Sequence, residues 1–218
     1  MTEESHGKWS RRSMLAGTAV AVAGGACARG QAAGDTLATE VKTYTNADFY
    51  DADGQFQEDR ARAAYYDMFR RFGYPLSDKL DQEMWILEFG LGDFAEVGMA
   101  GIFWLNRQDY NYFGHEIFLL PGQMIPEHCH LPTEKGAAKM ESWQPRHGMI
   151  YTFGEGEPTP KLLDKIPPSQ RDLVHSQRCL PLQIDEIGDL NRLLAWHFMV
   201  AGSEGALVTE YGTFHDMD

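Results

Sequence analysis

Two histidines and a nearby glutamate are the side chains of this 218-residue sequence best suited to chemistry. His128 and His130 are separated by one residue, and Glu134 follows after a further three. Alternate side chains of an extended strand share a face, so the two imidazoles would point the same way. Imidazole and carboxylate ligands together suit a divalent first-row metal ion such as manganese, iron, nickel or zinc. The motif therefore predicts a metal site, which a later histidine, His197 or His175, would complete.

Several short motifs also carry a resemblance to a known family. The segment 122–134 resembles the first metal-binding motif of the cupin superfamily, and more narrowly that of the D-lyxose isomerase-like sugar isomerases. Further matching stretches follow in the expected order at residues 88–94, 119–123 and 206–216. The resemblance extends from about Ala47 to the end of the chain. It favours His197 over His175 as the fourth ligand, with His115, His147 and His215 as weaker competitors.

The resemblance implies a divalent-metal-dependent aldose–ketose isomerase that acts on a small neutral sugar such as D-lyxose or D-xylulose, with Mn²⁺ as the favoured ion. Such an ion polarises the sugar carbonyl while a base moves a proton between C2 and C1 through an enediol. We predict Glu210 as this base, with the equal alternative that it only orients His197. Glu141 is a second candidate, and Lys139 or Lys135 would stabilise the enediolate oxygen.

Two other functions fit the same residues. A cupin that kept its metal and pocket could serve as a non-catalytic sugar-binding accessory of a transport system. Histidine and carboxylate ligands with open positions also suit an Fe(II) oxygenase. An isomerase needs a positioned acid or base and a binding protein does not, so Glu210→Gln separates the first two.

The spacing of apolar residues predicts a helical segment followed by many strands. From Asp53 to Gly73 the pattern is helical, with Asp53 as the cap and Tyr65, Met68 and Phe69 on one face. Short apolar or alternating runs then occur at 84–89, 97–105, 113–120, 124–130, 148–153, 171–180, 192–200 and 205–211. Such runs, punctuated by Gly, Pro, Asn and Asp, indicate an all-β sandwich or barrel. We therefore expect a cupin jelly-roll barrel over 84–218, with a helical extension over 35–83 packed outside.

The amino-terminal residues have the pattern of an export signal. Ser10–Leu15 contains two adjacent arginines, and the small apolar run Ala16–Ala26 follows. This run is too short to span a bilayer, so we predict a cleaved twin-arginine signal peptide over residues 1–34. The processed chain would be periplasmic or secreted, with no transmembrane span. Alternatively, Gly24–Cys27 would act as a lipobox and leave a lipid anchor on Cys27.

Charge and cysteine content restrict the partners. The formal net charge of −13 argues against nucleic acid or an anionic membrane surface, which both need clustered lysines and arginines. A small neutral sugar fits better, and a homodimer is compatible with one ordinary domain. Beyond the signal only Cys129 and Cys179 remain, and we predict both to be free thiols, since two cysteines make no disulfide framework.

Overall fold

The computed structural model describes residues 40–216, so the predicted signal segment and Cys27 lie outside the described residues. Within this range an antiparallel sheet is built from strands β1 (Trp85–Leu87), β2 (Met99–Arg107), β3 (Tyr112–Leu119), β4 (Met124–His128), β5 (Glu141–Gly154), β6 (Arg178–Leu182), β7 (Gly188–Asp189) and β8 (His197–Gly212). The main strand order is β1-β2-β3-β8-β5-β6, while β4 pairs with β8 and β7 with β5. This mostly-β architecture confirms the predicted class and is consistent with a cupin-like jelly roll.

The long strands β5 and β8 each contribute to two faces of the molecule. The first part of β8 pairs with β4 and the second part with β3, while β5 follows β8 along both parts. Gly148 and Gly205 lie where the two strands bend, and both have positive φ. A Cβ atom on Gly148 would lie 2.0 Å from the carbonyl oxygen of Gly205, so this crossing requires glycine. The bend brings the two ends of β8 towards the same side of the barrel.

Three α-helices precede the sheet: α1 (Asn46–Phe49), α2 (Glu58–Phe72) and α3 (Asp78–Glu83). The prediction that the long helix is capped by Asp53 was wrong, because the carboxylate of Asp51 accepts hydrogen bonds from the backbone N–H groups of Asp53 and Gln55. These bonds hold a turn before the helix begins. The helix ends as predicted, at a left-handed Gly73.

Helix α2 packs against the outer surface of the sheet. Tyr65, Met68 and Phe69 are almost completely buried, and the Phe69 ring meets Phe118 edge-on at 4.7 Å. Phe118 lies between Ile117 and Leu119 on β3, which belong to a separate cluster on the other face of the strand. The helix therefore covers one face and leaves the other to enclose a cavity.

The strands predicted from sequence differ from the observed ones in four places. Strand β5 begins at Glu141 rather than near residue 148, and β7 was missed. The single strand β8 contains 197–200 and 205–211 of the last two predicted runs, whereas 192–196 precede it. The segment 171–177 forms turns rather than a strand, because the Glu127 carboxylate accepts hydrogen bonds from the backbone N–H groups of His175 and Ser176. Cys129 and Cys179 are both free, as predicted. None of the helices in the described range is long and apolar enough to cross a membrane.

Candidate metal centre and adjoining cavity

Four side chains from distant parts of the sequence meet at one point. His128, His130, Glu141 and His197 each offer one ligand atom, and these atoms all lie within 4.8 Å of one another. Glu141 Oε1 lies 3.2 Å from His130 Nε2 and 2.7 Å from His197 Nε2. Ligands at right angles around an ion, with bonds of about 2.1 Å, are separated by roughly 3 Å. These four residues could therefore hold a divalent metal ion.

The ends of three strands bring these ligands together. His128 is the last residue of β4 and lies opposite His197, the first residue of β8. Glu141 is the first residue of β5 and pairs with Gly212 at the far end of β8. His130 follows β4 directly, with its ring 4.9 Å from that of His128. Backbone pairing thus fixes the positions of three of the four ligands.

Hydrogen bonds around the cluster prepare the imidazoles for a metal. Nδ1 of His128 donates to the Pro126 carbonyl at 2.8 Å, and Nδ1 of His197 donates to the Ala195 carbonyl at 2.9 Å. A proton on Nδ1 leaves the lone pair of Nε2 free for coordination. Nε2 of His197 is buried, and although Glu141 Oε1 lies 2.7 Å away, no group within residues 40–216 forms a hydrogen bond with it. Burial, followed by the neighbouring His197, lowers the pKa of His128 to about 3, so its ring is neutral as a ligand must be.

The predicted carboxylate ligand, Glu134, is not brought to the histidines. It lies on the loop after β4, where the Thr133 N–H donates to the Gly136 carbonyl at 2.9 Å and closes a turn. The side chain of Glu134 is exposed in this turn, whereas Glu141 is 2% exposed. The structure thus brings Glu141, rather than the predicted Glu134, to the histidines. The physical reason is that the loop leaves the barrel and only the start of β5 returns to it.

The predicted acid–base residues form one buried network beside the cluster. Lys139 Nζ donates to Glu210 Oε1 at 2.8 Å and also contacts Glu141 Oε2. The other oxygen of Glu210 lies 2.7 Å from Nδ1 of His115. The exposed fractions of these four residues lie between 2% and 7%. Glu141 thus belongs both to the candidate metal site and to the network that reaches Glu210.

Opposite charges dominate this network despite the cost of burial. Burial by itself lowers the pKa of Lys139, but Glu210 and Glu141 outweigh it and the net pKa is raised. Burial by itself raises the pKa of Glu141, but its contacts with Glu210, Lys139 and the imidazoles of the cluster hold it well below its usual range. Lys139 is therefore a cation and Glu141 an anion at neutral pH.

The competing histidines have other environments. The side chain of His175 is 92% exposed and pairs with Glu127, and His147 stacks on Phe72 of α2. His215 lines the cavity, and burial, followed by Lys139, lowers its pKa to about 4. Sequence reasoning missed the contact of His115 with Glu210. The alternation of Phe113, His115 and Ile117 on one face of β3 was the available signal.

The cluster and the network line one cavity of about 610 Å³, a size usual for small-molecule sites. Its ionisable lining residues are His115, His128, His130, Lys139, Glu141, His197, Glu210 and His215. Its apolar lining residues are Trp85, Leu87, Phe89, Met99, Phe103, Ile117, Ile125, Pro126, Trp143, Phe198 and Met199. Trp104 and Trp196 do not line it. The cavity therefore combines a candidate metal site, a candidate base and an extensive apolar wall.

Comparisons with known proteins find similarity to sugar isomerases. The chain is 29% identical over 162 residues to the D-lyxose ketol-isomerase of Cohnella laeviribosi, and this alignment covers 73% of this chain and 85% of that protein. It is 28% identical over 153 residues to the D-lyxose/D-mannose isomerase of Thermosediminibacter oceani, covering 69% and 82% of the two chains. The crystal structure of L-ribose isomerase from Cellulomonas parahominis is similar in fold, with a TM-score of 0.57 and 15% identity over 77% of this chain and 85% of that one. No family model matches the sequence. The predicted resemblance to D-lyxose isomerases is thereby confirmed.

Proposed function

We propose that this protein is a divalent-metal-dependent aldose–ketose isomerase that acts on a small neutral sugar. One observation carries the proposal: a buried carboxylate, Glu210, shares a cavity with three histidines and Glu141 and is held there by Lys139 and His115. A protein that only binds sugar has no need for a positioned acid or base of this kind. The similarity to ketol-isomerases supports the same conclusion.

We propose that His128, His130, Glu141 and His197 hold the metal, with Mn²⁺ as the favoured ion. The donor set of three imidazoles and one carboxylate suits manganese, iron, nickel or zinc. When bound, the ion supplies Lewis-acid polarisation of the sugar carbonyl, which acidifies the neighbouring C–H bond. Glu141 adds the negative charge that a dication needs in a buried site.

Glu210 is the proposed base. It accepts the proton from C2 of the open-chain aldose; the electron pair of that C–H bond forms the C1–C2 double bond, and the π pair of the C1 carbonyl moves to O1. The proton of the C2 hydroxyl passes to O1, the same carboxyl group returns its proton to C1, and the C2 carbonyl forms, which gives the ketose with no net loss of atoms or charge. A positioned base of this type contributes about 10²- to 10⁴-fold to the rate.

Two further residues control Glu210. Lys139 donates to Oε1 of Glu210 and is the one lysine or arginine among the described residues that line the cavity. Its ammonium group would stabilise negative charge that develops on the substrate oxygen. His115 contacts Oε2 and stacks on the rings of Trp85 and Phe103, with centroids 5.4 and 4.3 Å away, and this packing restricts its orientation. Lys139 is a proposed catalytic residue and His115 a positioning residue.

We also propose that the chain is exported by the twin-arginine route before it acts. The support is the Arg11-Arg12 pair and the apolar run behind it. Fractionation of cells that express the full chain should place it outside the cytoplasm. The double substitution Arg11→Lys and Arg12→Lys should keep the chain in the cytoplasm. Mass spectrometry of the exported protein distinguishes cleavage near residue 34 from lipid attachment at Cys27.

The isomerase proposal is tested with purified protein, metal analysis and D-lyxose. We expect about one divalent ion per chain and formation of the corresponding ketose, with solvent deuterium entering the product. Glu210→Gln should lower kcat by at least about a hundredfold while the metal stays bound. Glu204→Gln is the matched control, because Glu204 lies on the same strand with an exposed side chain. Bound metal and sugar without turnover would favour the binding protein, and oxygen consumption would favour the oxygenase.

A further inference from the structure

The cavity has an uneven distribution of polar groups. Eight of its lining residues are ionisable, and each of these belongs to the candidate metal site, touches the Lys139–Glu210 network, or is His215 beside them. No serine, threonine, asparagine, glutamine, tyrosine or arginine side chain of the described range lines the cavity. These are the groups that usually bind sugar hydroxyls through hydrogen bonds.

The strand register separates the ionisable residues from the apolar ones. His197 and Glu210 lie at opposite ends of β8. Two residues closer to the bend, Met199 follows His197 and Val208 precedes Glu210. Ile125 pairs with Met199, and Val208 pairs with Ile117. Two residues along a strand correspond to roughly 7 Å. A row of apolar residues therefore crosses both faces of the barrel roughly one such step from the candidate metal site and base.

A second apolar row lies beyond the first. On β2, Gly101 pairs with Ile117 of the first row, and Met99 lies two residues before Gly101. On β1, Leu87 pairs with Met99. A sugar whose C1 and C2 lie at Glu210 and the histidines would extend its remote carbons towards these rows. Met99, Ile117, Ile125 and Met199 are at most 7% exposed, so a hydroxyl placed against them loses its hydrogen bonds to water, whereas a methyl group gains favourable burial.

Besides two atoms of the candidate metal site, the buried polar side-chain atoms without a hydrogen-bond partner in the described range are Trp85 Nε1 and His115 Nε2. The rings that carry them stack on each other with centroids 5.4 Å apart. His115 also contacts Glu210 through Nδ1, so both rings lie at the end of the cavity where the carbonyl carbons would react. The apolar rows contain no such polar atom and are left to the terminal carbon of the sugar.

From this arrangement we propose that the cavity selects a neutral sugar whose carbon farthest from the carbonyl carries a methyl group in place of CH₂OH, that is, a terminally deoxygenated sugar. The proposal rests on the isomerase function above and adds its substrate class. A terminal phosphate is disfavoured, because Lys139 is already paired with two carboxylates and no other lysine or arginine of residues 40–216 lines the cavity.

The direct test compares D-mannose with 6-deoxy-D-mannose, two sugars that close the same six-membered ring and differ by one hydroxyl. We expect kcat/KM of the metal-loaded protein to be about ten- to a hundredfold higher for the deoxy sugar, the range in which an apolar pocket rejects an added hydroxyl. Calorimetric binding of both sugars to the metal-loaded Glu210→Gln variant measures the same preference without turnover.

A variant of the apolar row makes the test specific. Ile125→Thr places a hydroxyl in the row and should lower the preference at least severalfold relative to Ile125→Val, which has the shape of threonine without the hydroxyl. Val200→Thr is the matched control, since Val200 is equally buried next to Met199 but faces a different core cluster. If Ile125→Thr does not fold, Met199→Gln tests the same row.

The outcomes separate the two proposals. Turnover with an equal or greater kcat/KM for D-mannose would overturn the substrate class and leave the isomerase intact. Tighter binding of the deoxy sugar without turnover of D-lyxose, D-mannose or 6-deoxy-D-mannose would overturn the isomerase and support the selectivity. Absence of both turnover and preference would overturn both.

Discussion

Glu141 and Glu134 carry the same carboxylate and are seven residues apart, yet only Glu141 reaches the histidines. Glu141 begins a strand and is paired with Gly212, while Glu134 lies in a turn whose side chains are exposed. Lys139 and Lys135 on the same loop differ in the same way, as do His115 on β3 and His175 on a surface turn. Chemical type and closeness in sequence are therefore poor guides here. What matters is whether the backbone at that residue belongs to, or directly adjoins, a strand that encloses the cavity.

Removing each carboxylate in turn gives the largest expected difference. Glu141→Gln should lower metal affinity by more than about a hundredfold, since it removes a direct ligand and even indirect partners contribute 10- to 100-fold. Glu134→Gln should retain the metal and the activity. Metal content after dialysis against a weak chelator measures both variants. Loss of metal from Glu134→Gln, with retention in Glu141→Gln, would restore the ligand set predicted from the sequence.

The lysine pair should show the next largest difference, in stability as well as activity. Lys139→Met leaves Glu210 and Glu141 buried without their cation, and removing one partner of a buried ion pair costs about 3–5 kcal/mol. Lys135→Met should lower the free energy of unfolding far less, because the side chain of Lys135 is 45% exposed and solvent screens its ion pair with Asp216. Urea denaturation of metal-loaded protein gives both values. Equal changes in the free energy of unfolding for the two variants would mean that the ion pairs of Lys139 do not stabilise the fold more than that of Lys135.

The same contrast explains which features of the site could be predicted from sequence. His128 and His130 were recognisable because the spacing is local, and the third histidine, His197, followed from the family resemblance. The choice of Glu134 relied on the reach of a flexible carboxylate. The structure replaces it because Glu141 is fixed by backbone pairing between β5 and β8, residues far apart in the sequence. No local pattern contains that pairing.

The errors in the fold have a similar origin. The residues Ala201–Gly205 have the composition of a turn, but β8 continues through them because β5 and β8 bend together at Gly148 and Gly205. The helix was recognisable from its 3.6-residue period, and its end from Gly73. Its start was not, because the hydrogen bonds of Asp51 hold a turn there. Local periodicity thus predicted the elements, whereas contacts between distant residues determined their limits.

The histidine pair should give the smallest difference, and one confined to catalysis. His115→Phe removes the contact with Glu210 Oε2 but keeps an aromatic ring that packs on Trp85 and Phe103. A less rigidly held base should lower kcat by about ten- to a hundredfold with KM nearly unchanged, because small displacements of a reacting group have effects of this size. His115→Gln, which can again donate to Glu210, should recover part of the loss. His175→Phe should match the parent protein in both constants. A rise in KM at constant kcat for His115→Phe would show instead that His115 contacts the sugar directly, and its role as a positioning residue would be wrong.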